Sequence, residues 1–167
     1  MSEIRIEPWS EAGLELLRRI NTAEMKKHLG GPETSEQVLV RHQRYLTFVA
    51  GRTGCMFRIL ADDEPVGTVG YHQRDWNGAP VYEMGWAVLP PYQGRGIATA
   101  AVRAAVAAAS AERRHRYLHA FPDVGNPPSN AICRKAGFTL IGETDFEFPP
   151  GRPMRSNDWR LDLFADG

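Results

Sequence analysis

The run Gln93-Gly94-Arg95-Gly96-Ile97-Ala98-Thr99 is built to receive a phosphate. It stands between an apolar stretch, Val81 to Val88, and an alanine-rich segment, Ala98 to Ala111, that is nearly free of helix breakers. A strand-to-helix turn of this kind presents the first N–H groups of the helix, which have no internal acceptor and carry partial positive charge. Gly94 and Gly96 remove the side chains that would hold a ligand away and tolerate positive φ, so a phosphate or pyrophosphate suits the turn. Glu83 is the second candidate. On an extended chain Glu83, Gly85 and Ala87 share one face, while Tyr82, Met84, Trp86 and Val88 share the other. A carboxyl among apolar neighbours is poised to take up a proton near neutral pH, because burial disfavours its charged form. The small residues beside it leave room for a ligand. The plainer alternative is a partly exposed glutamate paired with an arginine.

Spacing narrows the phosphate ligand. A Walker loop needs Lys-Ser or Lys-Thr after its second glycine, and a dinucleotide fingerprint needs a third glycine where Thr99 stands. What remains is Gln-x-x-Gly-x-Ala, formed by Gln93, Gly96 and Ala98. This resembles the acetyl-CoA signature of the Gcn5-related N-acetyltransferases. A second segment, Asn126-Pro127-Pro128-Ser129-Asn130-Ala131-Ile132-Cys133-Arg134-Lys135-Ala136-Gly137-Phe138, resembles the same family's later motif. There an asparagine precedes a short helix ending in Lys-x-Gly-Phe.

The resemblance implies a direct attack of a primary amine on acetyl-CoA in a ternary complex. Amides near Ala87 and Val88 would bond the pantetheine arm and the acetyl carbonyl. Amides of Gly94, Arg95, Gly96, Ile97, Ala98 and Thr99 would hold the pyrophosphate, and Asn126 and Asn130 would bond the pantetheine amides. Asn130 and Ser129 have a plainer alternative as helix caps. Glu83 would be the base. Cys133 falls where many members place a tyrosine that protonates the departing thiolate; it is either that acid or a small buried thiol. The later motif also resembles that of ribosomal-protein acetyltransferases. A protein N-terminus and a small-molecule amine such as an antibiotic are both open as acceptors, and a non-catalytic acetyl-CoA sensor is the rival from another class.

His115 and His119 are four apart, but the stretch Tyr117 to Phe121 reads as a strand and no acid joins them, so no metal is expected. Lys+Arg 20 against Asp+Glu 20 gives formal neutrality, which argues against a nucleic-acid or anionic-membrane binder working by bulk charge. No apolar run approaches the roughly 20 residues of a membrane span, and no signal-peptide h-region follows Met1. Cys55 and Cys133 lack CxxC spacing, as expected of a reducing cytoplasm. One domain over residues 1–167, monomer or homodimer, is expected.

The elements that must position these groups follow from the pattern. Ile4 to Glu7 reads as a strand and Ser10 to about His28 as a helix with Leu14, Leu17, Ile20 and Met25 near one face. Thr34-Ser35-Glu36-Gln37 has capping-box form and opens a helix to about Phe48. Strands Met56 to Leu60, Pro65 to Gln73 and Val81 to Val88 follow, the last two joined by a turn at Asn77-Gly78. After the long helix come a strand at Tyr117 to Phe121, a helix over 128–136, a strand from Phe138 to Phe148, and a closing strand from Ser156 to Leu163. The expected class is α+β, a mixed and mostly antiparallel sheet of six to seven strands flanked by about four helices.

Overall fold

In the computed structural model, which describes residues 3–165, one sheet of seven strands runs through the molecule. Its strands are β1 (Ile4–Pro8), β2 (Gly54–Ala61), β3 (Glu64–Trp76), β4 (Ala79–Val88), β5 (Tyr117–Ala120), β6 (Thr139–Glu147) and β7 (Pro153–Asp162). They lie in the order β1-β2-β3-β4-β5-β7-β6, and every neighbouring pair is antiparallel except β4 and β5. The β3–β4 hairpin turns at Asn77 and Gly78, both at positive φ (51° and 82°), which suits the right-handed twist of the strands.

Helices α1 (Gly13–Ile20) and α2 (Ser35–Gly51) cover one face; α3 (Ile97–Glu112) and α4 (Pro127–Lys135) cover the other. Neighbouring residues of β4 show the division. Val88 packs into the main core with Ile97, Ala101, Val102 and Ala105 of α3, whereas Ala87 packs against the Leu16–Ile20–Leu89 cluster of α1. The alanines of α3 thus do more than favour a helix: Ala101, Ala105 and Ala109 are fully buried, letting the helix backbone approach the sheet closely.

The first helix is shorter than its periodicity predicts. It stops at Ile20 because Asn21 turns its side chain onto the backbone of Glu33, donating to the carbonyl at 2.8 Å and accepting from the N–H at 2.8 Å. This local competition with the helix is characteristic of asparagine. Residues 21–31 then run as turns. The expected capping box does open α2, with Gln37 N–H donating to Thr34 Oγ1 at 3.1 Å and Thr34 N–H to Gln37 Oε1 at 2.8 Å.

Candidate active site

Two openings meet at the middle of the sheet. The first is between strands. β5 pairs with β4 only at Tyr82–Leu118 and Glu83–His119; beyond Glu83 the two strands part. Leu89 N–H donates to the Val66 carbonyl at 2.8 Å, which fixes the alternation of the β3–β4 ladder. Trp86 and Val88 therefore direct their N–H groups to the edge that β5 has left, while Ala87 directs its own toward Thr68 on β3. Of the two amides expected to meet the pantetheine arm, Val88 is on the open edge and Ala87 is engaged in the sheet.

The second opening is the turn into α3. Gly94 and Gly96 adopt positive φ (75° and 79°), and no atom lies within 4 Å of where a Cβ would stand on either. Helical bonding begins with Ala100 N–H donating to the Gly96 carbonyl at 3.1 Å, and Gly96 supplies no side-chain cap. From Gly94 through Thr99, no backbone N–H finds an acceptor among the described residues. Consecutive unpaired donors at a helix N-terminus form an anion cradle. Gln93 contributes structurally: its Nε2 donates to the Val88 carbonyl at 2.8 Å, tying the turn to the end of β4. Arg95 extends over the Tyr92 ring, 5.6 Å from its centroid.

The later motif also resolves. Asn126 caps α4, its Oδ1 accepting from Ser129 N–H at 3.4 Å. Asn130 has no capacity left for a ligand. Its amide donates to the carbonyls of Asp123 (3.1 Å) and Asn126 (2.9 Å), and its oxygen accepts from Asn157 Nδ2 (2.8 Å) and Trp159 Nε1 (2.8 Å). It clamps α4 to β7. Cys133 is fully buried in the main core, and burial pushes its thiol up to about 12. Of the two readings of this residue, acid or small buried thiol, its surroundings are those of a packed core side chain.

On the α1–α2 face, Glu83 is not alone among apolar groups. Arg74 Nη1 donates to its Oε1 at 2.5 Å, and His72 Nε2 lies 3.7 Å from the same oxygen. The plainer alternative for this residue, an ion pair with an arginine, is what forms. Arg74 in turn sits 4.7 Å from the Phe146 ring centroid, 5.6 Å from Trp76 and 5.7 Å from Phe121. His72 stacks on Phe48, with centroids 5.9 Å apart, and burial lowers its pKa, with Arg44, Arg74 and Arg41 acting in the same direction against Glu83. Next along β4, Gly85 is exposed, and nothing occupies the space a side chain would take. This bare patch of sheet joins the α1–α2 face to the strand opening.

His119 has no acid beside it in sequence; the fold supplies one from far along the chain. Its Nδ1 bonds Asp158 Oδ1 at 2.6 Å, and both side chains are nearly buried. The sequence reading also missed His72 and Arg74. The Asn77-Gly78 turn could have found them, since counting back from it sets His72 opposite Glu83.

Comparison with known proteins bears on this geometry. The sequence model of the acetyltransferase (GNAT) domain matches residues 3–139. None of the curated protein sequences compared matches the chain. Among solved structures, the chain resembles RimL, the ribosomal L7/L12 alpha-N-protein acetyltransferase, in complex with coenzyme A joined to one of its cysteines by a disulfide (TM-score 0.82, 18% identity, 98% of this chain and 96% of that one). It also resembles the microcin C7 self-immunity acetyltransferase MccE in complex with acetyl-CoA and AMP (TM-score 0.80, 19% identity, 96% and 92%). A third likeness is to the aminoglycoside acetyltransferase AAC(6')-Ib in complex with coenzyme A (TM-score 0.77, 17% identity, 98% and 98%). At these identities the structural likenesses establish the fold, and the domain match establishes the family. With its acceptorless amides at the α3 turn and its parted β4 and β5, the chain belongs to the GNAT acetyltransferases.

Proposed function

We propose that the protein transfers the acetyl group of acetyl-CoA to a primary amine by direct attack in a ternary complex. The observation that carries this reading is the unbroken set of unpaired N–H groups from Gly94 to Thr99, set beside the open edge of β4. The cradle suits the CoA pyrophosphate. The Val88 and Trp86 amides suit the pantetheine arm and the thioester carbonyl, where a hydrogen-bond donor stabilises the developing oxyanion. The α1–α2 face then receives the amine over Gly85.

Charge on that face bears on the acceptor. Arg41, Arg44 and Arg74 all act on His72, and Lys26 lies close enough to Arg41 for repulsion to lower its pKa, after burial as the main cause. Facing them are Glu33, which binds Arg41 at 2.7 Å, and Glu83, which binds Arg74. With Arg41 and Arg74 each paired to one acid, this face has no surplus of carboxylates to hold a polycationic antibiotic, which favours an acceptor with one amino group, such as a peptide N-terminus. Glu83 anchors Arg74 and offers a negative charge to the incoming ammonium.

The test is turnover. Purified protein with acetyl-CoA should release free thiol with a serine-initiated hexapeptide and release far less with kanamycin. Faster release with kanamycin would reverse the acceptor assignment, and acetyl-CoA binding with no release on any amine would favour the sensor.

A further inference from the structure

The proton-accepting group of the site is assigned by an arrangement that the family's two motifs do not include. His119 is the last residue of β5 paired with β4, so it stands where the strands begin to part. It sits opposite Glu83 on β4 and opposite Arg160 on β7, and directly opposed residues project on the same face of a sheet. That face is the one carrying His72, Glu83 and Gly85, the side from which the amine enters. His119 Nδ1 is held by Asp158 Oδ1 at 2.6 Å, Asp158 Oδ2 is held by Trp76 Nε1–H at 3.3 Å, and the imidazole lies flat on Phe121 with centroids 5.5 Å apart.

This arrangement leaves one ring nitrogen available. A carboxylate on Nδ1 keeps the proton there, so Nε2 carries the lone pair. Nε2 has no hydrogen-bond partner among the described residues, yet it is not among their sealed, unpartnered polar atoms. Nε2 therefore keeps a narrow exposed edge in a residue that is 5% exposed. Glu83 turns away toward Arg74 and His72, and Gly85 has no side chain, so nothing from β4 covers the route from His119 to the strand opening.

We infer that His119 is the general base of the acetyl transfer and that Asp158 is its positioning residue. The inference rests on the amine-acetyltransferase reading above. An ammonium group entering over Gly85 gives a proton to His119 Nε2, and the imidazolium is held by Asp158. The freed lone pair attacks the thioester carbonyl; the C–N bond forms, and the C–S bond breaks with its electrons going to sulfur. The nitrogen's second proton passes to the departing sulfur as the amide forms, so the leaving group departs as the CoA thiol. His119 returns its proton to solvent. The groups whose charges face the imidazole are Asp158 and Arg160 from β7, Glu83 from β4, and Arg74 from β3 across Phe121.

The decisive experiment follows kcat/KM for the serine-initiated hexapeptide from pH 6 to pH 9 in the wild type, His119→Gln and Asp158→Asn, beside acetyl-CoA affinity and Tm. His119→Gln should lose about 10²- to 10⁴-fold near pH 6.5, with acetyl-CoA affinity kept. The loss should shrink once pH passes the amine's own pKa, about 8, where the acceptor arrives already deprotonated. Asp158→Asn should lose less and follow the same trend. A loss by the same factor at every pH, or one below about threefold at neutral pH, would overturn the assignment. A second measurement needs no acceptor: diethyl pyrocarbonate should modify His119 in the folded wild type, read by peptide mapping. An unmodified His119 would mean Nε2 is not reachable, which also overturns it. Acetyl-CoA binding without peptide turnover would strike the proposed acceptor alone, with the modification still deciding whether Nε2 is open.

Discussion

Replacing Asn130 by alanine separates a clamp from a ligand contact. Four hydrogen bonds disappear, but their costs differ. The Asp123 carbonyl still accepts from Asn126 N–H at 3.0 Å, and the Asn126 carbonyl still accepts from the backbone N–H of residue 130 at 3.2 Å. Asn157 is only half-buried and turns its amide to water. Trp159 has no such escape: it is 3% exposed, and its Nε1–H is left without an acceptor. A buried donor stranded in this way costs about 1–3 kcal/mol, and the lost packing of α4 on β7 brings the total to about 2–3 kcal/mol. For a chain of this length that lowers Tm by about 5–10 °C. Thermal unfolding of Asn130→Ala beside wild type, with acetyl-CoA titration below both transitions, is the assay. The account expects the lowered Tm with acetyl-CoA affinity within about twofold of wild type, since no hydrogen bond to the ligand is lost. An unchanged Tm with affinity reduced about tenfold or more would refute it and return Asn130 to the cofactor.

Three further outcomes follow. Gly85→Val has open space and suits a strand, so it should fold normally and bind acetyl-CoA, yet lose acceptor turnover because its side chain fills the amine's route; unchanged kcat/KM would move the acceptor elsewhere. Burial pushes the thiols up to about 12 at Cys133 and about 11 at Cys55, so neither should react with iodoacetamide at pH 8 in the folded protein, while both react after denaturation. His72 binds protons less readily folded than unfolded, chiefly through burial. Its contribution to stability is therefore present above the unfolded value, about 6.5, and is lost as pH falls through it toward the lower folded value. His72→Gln should flatten the Tm–pH curve in that window; an identical slope would contradict the burial argument.

The parts of this fold legible in the sequence were those specified locally. The Asn77-Gly78 turn, the capping box at Thr34 and the alanine run of α3 each fix their own backbone. The phosphate cradle was equally plain, because glycine spacing and a helix start are neighbours in the chain. The length of the first helix was not, because Asn21 ends it by bonding Glu33, which lies beyond the helix pattern. The surroundings of Glu83 divide along the same line. His72 opposite it is countable from the hairpin turn, whereas the parallel neighbour His119 and its partner Asp158 meet only when three separate segments assemble. Motif matching offered Asn130 as a ligand contact or a cap and Cys133 as an acid or a buried thiol; only the assembled fold shows that both side chains face the interior.

The central claim is that the α3 turn and the open edge of β4 hold acetyl-CoA. Its most direct test is calorimetric titration with acetyl-CoA of the wild type and of Gly96→Val. The substitution forces a branched residue to positive φ, at a cost of roughly 1–2 kcal/mol, and places methyl groups where the pyrophosphate must approach. Saturable one-to-one binding in the wild type, with affinity at least about tenfold weaker in a folded Gly96→Val, is the predicted result. Equal affinity in the two proteins, or no binding in the wild type, would contradict it.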